Sequence, residues 1–454
     1  MPTVLRSRRV VVDGQVRAAD IVLADGHIAA VVDYGVSADR DTTDFGDWVI
    51  SPGIVDSHVH INEPGRTEWE GFRSATQAAV VGGITTVVDM PLNCIPATTS
   101  RAAAQTKLEA LDQQLHVDAA FWGGVIPGNS SELAGLREFG CKGAKCFTCP
   151  SGVDEFPHVA QHDLELAAPV MRDLGMTLLV HAEAPQPLEL AEKAVANADP
   201  RLYATYLRSR PEQAENDAIA MVIDLARRHH IAVHIVHLSS ASALPMIAAA
   251  QRQGIAVTAE TCLHYLTFCA EDVPDGATCY KCAPPIRNRA NREALWQGLR
   301  DQVLTMVVSD HSPCTPQLKR TETGDFMAAW GGIASLQLGL SALWTAASAR
   351  GFGLADVARW NSENTAKLAG LEHAKGTIAA QMDADFVIWE PEADIRVVGS
   401  ELYHRHKLTP YDGLRLRGKV QQTWLRGTPA WTREGGFSEP GGRYVPGRAA
   451  CSAR

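Results

Sequence analysis

Asp56-Ser57-His58-Val59-His60 closes a short apolar run, Trp48-Val49-Ile50-Ser51-Pro52-Gly53-Ile54-Val55. β-Branched residues giving way abruptly to polar ones predict a buried strand that delivers side chains at its C-terminal end. Side chains alternate along a strand, so His58 and His60 face one way and Val59 the other. Two imidazoles one pleat apart can grip a single metal ion; they can equally be incidental histidines at a strand end. Four more residues of suitable type close apolar runs elsewhere: Lys145 in Gly143-Ala144-Lys145-Cys146-Phe147, His181 in Leu178-Leu179-Val180-His181, His237 in Ile235-Val236-His237, and Asp310 in Val307-Val308-Ser309-Asp310. Imidazoles and a carboxylate are ligands for zinc or a similar divalent ion. A lysine amine rarely ligates, but carboxylated by carbon dioxide it becomes a carbamate whose two oxygens can bridge two metals about 3.5–4 Å apart. Water activated between such ions is a nucleophile at neutral pH, and Asp310 could both ligate and accept its proton.

Taken singly, each residue has a plainer reading. His181 could be a satisfied histidine at a sheet edge, and Lys145 could pair with a carboxylate. His229 and His230 precede their strand, and His234 has the opposite parity to His237, so all three stay outside the set. His311 follows Asp310 with reversed parity and is at most a neighbour of a ligand. Asp56 shares the parity of His58 one step deeper, where an orienting role fits.

The elements that must position these residues alternate. Eight strands are predicted: one ending at His60, then 84–90, 117–123, 142–147, 177–182, 231–238, 255–261 and 303–310. Helical stretches at 67–81, 100–114, 164–174, 211–228, 241–253 and 289–302 separate most of them. That order predicts a parallel (β/α)₈ TIM-type barrel, whose active sites form at the C-terminal ends of several strands. The rival doubly wound sheet lacks its G-x-G-x-x-G fingerprint after the first strand. Before the barrel, Val10-Val11-Val12, Ile21-Val22-Leu23 and 28–32 form a meander with Asp13-Gly14 and Asp25-Gly26 as hairpin turns. Similar sequence at 385–389 and 421–425 predicts a small flanking β domain built from both termini. The division expected is 1–50 and 373–454 for that domain and 51–372 for the catalytic barrel, with a loosely held tail from Gly435.

The chain has 454 residues, 46% hydrophobic and 21% charged, enough to bury a large core. A net charge of −10 without a basic cluster argues against nucleic acid as a partner. No apolar run reaches a membrane span and no signal core follows Met1, so the expected compartment is the cytoplasm. Ten cysteines then read as reduced thiols. Cys146/Cys149 and Cys279/Cys282 are C-x-x-C pairs that could build a structural zinc site, but they lie far apart in sequence.

With these residues in view, the sequence resembles the cyclic-amide hydrolases of the amidohydrolase superfamily, and among them the allantoinase family. The resemblance spans nearly the whole chain. It is carried by Asp56-Ser57-His58-Val59-His60-Ile61-Asn62-Glu63-Pro64-Gly65-Arg66, by the stretch from Gly82 to Asn93, by Cys282-Ala283-Pro284-Pro285-Ile286-Arg287 and by Ser309-Asp310-His311-Ser312-Pro313-Cys314. Ala329-Trp330-Gly331-Gly332-Ile333 and the stretch from Tyr403 to Tyr411 are similar to allantoinases in particular. One departure, Ala380-Gln381-Met382 where the family usually has a Pro-Gly-type turn, touches the β domain and not the site.

The resemblance implies that His58 and His60 bind one metal and His181 and His237 the other. It further implies that N6-carboxylated Lys145 bridges the two, and that Asp310 ligates the first metal and serves as the catalytic base. Two divalent ions, zinc before manganese, cobalt or iron, and carbon dioxide for Lys145 are the implied cofactors. The implied reaction is hydrolysis of allantoin to allantoate, with ring contacts from Asn62, Asn93, the backbone around Cys282, and Gly331/Gly332, in a homotetramer. Hydantoinase/dihydropyrimidinase and dihydroorotase are the alternatives. In dihydroorotases an arginine that grips the substrate carboxylate usually stands where this chain has Asn62. Non-catalytic scaffold relatives would be expected to lack part of the metal set, which is complete here.

Overall fold

The computed structural model describes residues 3–37 and 41–447. The predicted strands carry the barrel at Ile54–Val59, Ile84–Asp89, Asp118–Phe121 continued by Gly123–Gly124, Gly143–Phe147, Thr177–His181, Val233–Ile235, Val257–Cys262 and Met306–Val308. All pair in parallel, in hydrogen-bonded runs on either side of the break at Trp122. The His60 N–H donates to the His311 carbonyl at 2.8 Å, which joins the first strand to the end of the last. The fold is a (β/α)₈ TIM-type barrel with a β sheet beside it.

Local sequence explains the elements. Asp13-Gly14 and Asp25-Gly26 both take positive φ, as two-residue hairpin turns require. Ser100 caps the helix Arg101–Glu109 by accepting from the Ala103 N–H, and Gly175 ends Gln161–Leu174 in the left-handed conformation. The helix Glu212–His229 places Glu212 and Glu215 in its first turn and Arg227 and Arg228 in its last, matching its dipole.

The opening apolar run is not one strand. Val49–Pro52 belongs to the terminal β sheet, between Val10 on one side and Ile388 on the other. Ile54–Val59 belongs to the barrel. The chain crosses from one sheet to the other at Gly53, where a Cβ would stand 2.3 Å from Thr85 Oγ1, so only glycine fits. The terminal sheet takes strands from both ends of the chain, with Phe386–Arg396 pairing Val49–Pro52 and Arg415–Leu425 beyond it.

The tail departs from expectation. Up to Gly447 it is pinned along the barrel: Arg443 and Ala119 are bonded backbone to backbone, the Val445 N–H donates to the Ala119 carbonyl, and Tyr444 packs on Phe121 and Phe139. A Gly/Pro/Arg composition concealed one aromatic anchor and a run of backbone donors. The last part of the expected tail, 448–454, lies outside the described residues. Among the described residues, no helix is long and apolar enough to cross a membrane.

Candidate metal centre and active site

The six residues singled out on separate strands converge at one end of the barrel, all of them buried. Asp310 Oδ1 lies 3.3 Å from His58 Nε2 and 3.6 Å from His60 Nε2. Lys145 Nζ is 3.2 Å from the same His58 nitrogen. His181 Nδ1 and His237 Nε2 face each other at 3.0 Å. Two histidine rings thus turn toward one carboxylate, two toward each other, and the lysine stands beside His58.

Each pair is held from behind by a carboxylate. His58 Nδ1–H donates to Glu260 Oε1 at 2.5 Å, which fixes the tautomer and leaves Nε2 as the free lone pair. Glu260 also accepts from His234 Nε2 at 3.0 Å, so His234 belongs to the support of the site after all. Burial raises the Glu260 carboxyl, but His58 and His234 outweigh it and hold the group well below the usual carboxylate range. His181 Nε2–H donates to Glu183 at 2.8 Å, leaving Nδ1 free. Glu183 is bidentate with Arg210; burial pushes its carboxyl up, while Arg210 and His181 bring it down to about 2.

Glu260, Glu183 and Arg210 were not found by sequence reasoning. The available signal was a carboxylate inside an otherwise buried strand, Val257–Cys262, and another two residues after His181. Asp56 accepts from the His58 N–H at 3.2 Å and is raised to about 6 by burial, against the pull of Ser309 and His58. His311 turns away: its Nδ1 accepts from the Ser335 and Leu336 N–H groups, and its Nε2 lies 3.4 Å from Glu70. His229 pairs with Glu165 near the surface.

The backbone at this face is strained. Asn62, Asn93, His237 and Asp310 all have positive φ, from 39° to 69°. Such conformations cost energy outside glycine and concentrate where function fixes a side chain. For His237 and Asp310 the turn re-aims the side chain where its strand ends.

A cavity of ≈ 260 Å³ opens above the cluster, lined by His60, Lys145, His181, His237 and Asp310 at its base. Asn93, Gly331 and Gly332 line it as well. Asn93 Nδ2 lies 3.5 Å from His60 Nδ1. Gly332 has φ 132°, and a Cβ there would stand 2.2 Å from the Ser312 carbonyl oxygen. Asn62 and Cys282 sit behind the wall. The Asn62 amide donates to the Pro313 carbonyl at 3.3 Å, and the Cys282 carbonyl accepts from the Tyr206 hydroxyl at 2.6 Å.

The donor set suits divalent cations. Neutral imidazole lone pairs 3.0 Å apart repel unless a proton or a cation lies between them. The Nδ1 of His237 is buried with no hydrogen-bond partner. Burial, then neighbouring charge, lowers His60 and His237 well below the ordinary histidine value, the neutral state that ligation needs. His58, His60 and Asp310 are close enough to share one ion. The C-x-x-C pairs do not meet in such a group, and the described cysteines are free thiols.

The barrel and this cluster define the class: the amidohydrolase family profile matches residues 49–430, and the chain belongs to that family. It is 48% identical over 444 residues to the allantoinase of Streptomyces avermitilis, covering 97% of this chain and 98% of that one. It is 50% identical over 371 residues to the mitochondrial allantoinase of Aquarana catesbeiana (81% and 76% covered) and 46% identical to the allantoinase of Saccharomyces cerevisiae (86% and 84%). Among solved structures it superposes on the L-hydantoinase (dihydropyrimidinase) of Arthrobacter aurescens with TM-score 0.92, 29% identity and 98% and 99% coverage.

Proposed function

We propose that this chain hydrolyses the cyclic amide of allantoin to give allantoate. The observation that carries the reading is the convergence of His60, Lys145, His181, His237 and Asp310 at the base of one cavity, with His58 directly beside Lys145 and Asp310, in a chain 48% identical to an allantoinase. His58, His60 and Asp310 would hold one divalent ion, His181 and His237 a second, and Lys145 would bridge them as its N6-carbamate. Zinc is the first choice by ligand type, with manganese, cobalt or iron compatible. Bound there, such ions act as Lewis acids on the amide carbonyl and lower the pKa of water.

The chain's own groups supply the remainder. Burial, only partly opposed by Asp310 and Glu260, draws the Lys145 amine down to about 8. That shift favours the neutral amine, the form that adds to carbon dioxide with release of one proton as the N–C bond forms. Asp310, bonded at Oδ1 by the Ser312 hydroxyl at 2.8 Å, accepts the proton of the attacking water and returns it to the ring nitrogen as the C–N bond breaks. Asn93 and the close backbone approach allowed at Gly331 and Gly332 position the ring.

The family resemblance also supports a homotetramer, and free thiols support a reducing compartment such as the cytoplasm. The test is turnover by purified protein of allantoin, hydantoin, dihydrouracil and dihydroorotate side by side. Allantoin is expected to show the highest kcat/KM; a higher value for any of the others removes this assignment.

A further inference from the structure

One lysine of the cavity wall has no part in the chemistry above. Lys281 lines the same cavity as Asp310 and is only 8% exposed. Its ammonium forms no ion pair with any described carboxylate. It donates instead to the main-chain carbonyls of Ala329 at 2.5 Å and Met327 at 3.1 Å, and it stands 4.9 Å from the centre of the Tyr206 ring. A second buried lysine, Lys319, donates to the carbonyls of Lys281, Trp330 and Gly332. The two lysines bind the segment 327–332 across the cavity. Burying a charge without a counter-charge is costly, and the interior seldom keeps one without a use.

The position of Lys281 indicates that use. The reacting carbonyl must lie at the cavity base, beside Asp310 and the histidines. Met327, whose carbonyl holds the Lys281 head, is 37% exposed, and Glu192 of the same wall is also exposed, so this wall is the outer one. A substituent on the ring carbon next to the reacting carbonyl would point from the base toward that wall. In allantoin it is a ureido group, whose carbonyl oxygen is the one strong acceptor outside the ring. We propose that Lys281 is a specificity-determining residue that donates a hydrogen bond to the ureido carbonyl of the substrate. The ammonium has three donors, and two of them are committed to the carbonyls of Ala329 and Met327, which leaves one for the ligand.

This inference rests on the allantoin reading, so wild-type turnover of allantoin is measured first and decides that reading alone. Lys281→Met keeps the length of the side chain over Tyr206 and removes its donors. With allantoin, KM is expected to rise roughly 10- to 100-fold, the loss of one hydrogen bond to a charged donor. The metal content and the inhibition constant of hydantoin, the same ring without the arm, should stay within about twofold. An unchanged KM for allantoin, or an equal loss of hydantoin binding, would show a clamp and not a recognition residue. Should the variant not fold, the complex of the slow Asp310→Asn protein with intact allantoin decides: Lys281 Nζ within hydrogen-bond distance of the ureido oxygen upholds the proposal, and any other partner there overturns it.

Discussion

The proposed chemistry turns on two side chains, one of which, a lysine, ordinary coordination would not choose. Lys145 is buried among histidines, where a charged ammonium is poorly solvated and a carbamate would carry the negative charge that cations need. Lys145→Ala should therefore lose most bound metal and activity together. Metal analysis beside an activity assay checks this, and short carboxylic acids added to the variant should restore part of both. Asp310 is the other. Asp310→Asn keeps an oxygen donor but removes the proton acceptor, so kcat should fall about 10²- to 10⁴-fold with an unchanged circular dichroism spectrum. A kcat near wild type in a fully metallated Asp310→Asn protein would place the base elsewhere.

Strands aim these groups, but the layer behind the strands fixes them. Glu260 joins His58 to His234, and Glu183 joins His181 to Arg210, so each ring has one tautomer and one orientation. Glu260→Gln weakens that hold by replacing a carboxylate with a neutral amide. Metal affinity should drop by about 10- to 100-fold, as such outer contacts usually contribute, and a competition titration with a chelator would measure it. Gly53, the crossing between the two sheets, acts on stability alone. Gly53→Ala forces a methyl group into Thr85 and should destabilise by about 1–3 kcal/mol, the usual cost of overpacking, read as a lower Tm in the apoprotein.

At the scale of the molecule, the barrel and the terminal sheet are joined by a buried ionic knot. Lys375 Nζ reaches Asp118 at 2.6 Å, Asp383 at 2.8 Å and Asp385 at 2.6 Å, and Arg426 pairs with Asp118. Asp118 opens a barrel strand, while Asp383 and Asp385 lead into Phe386–Arg396 of the sheet. Lys375→Met leaves buried carboxylates without their shared cation and should cost about 3–5 kcal/mol, seen in urea unfolding. Within the sheet, Arg6 pairs with Asp20 at 2.7 Å. The Arg6 hydrogen bond outweighs burial and brings the Asp20 carboxyl down to about 2. A carboxyl depressed on folding contributes stability above its unfolded value near 3.9 and loses it as pH falls toward about 2. Asp20→Asn should thus lower Tm at about pH 7, and its gap to wild type should close between about pH 4 and pH 2.

The sequence by itself determined the barrel and picked out the residues that gather at one end of it, because both are local signals. Alternating hydrophobic runs and helical stretches set eight strands in order, and His58, His60, Lys145, His181, His237 and Asp310 each fall at a strand's end. Turn chemistry was equally local, since Asp-Gly pairs specify their own backbone. What depended on tertiary structure was hidden for a common reason: it joins residues distant in sequence whose types carry no period. Nothing near Glu260 announces a bond to His58, 202 positions away. Parity alone sets His234 apart from the ligand face, yet the opposite face of its strand is where a neighbouring carboxylate reaches it. The run from Trp48 to His60 reads as one strand because both halves are apolar, and only their different partners, Val10 and Ile388 before Gly53 and Ile84–Asp89 after it, divide it between two sheets. The placement of Asn62 and Cys282 behind the cavity wall was decided the same way, by Pro313 and Tyr206 approaching from other elements.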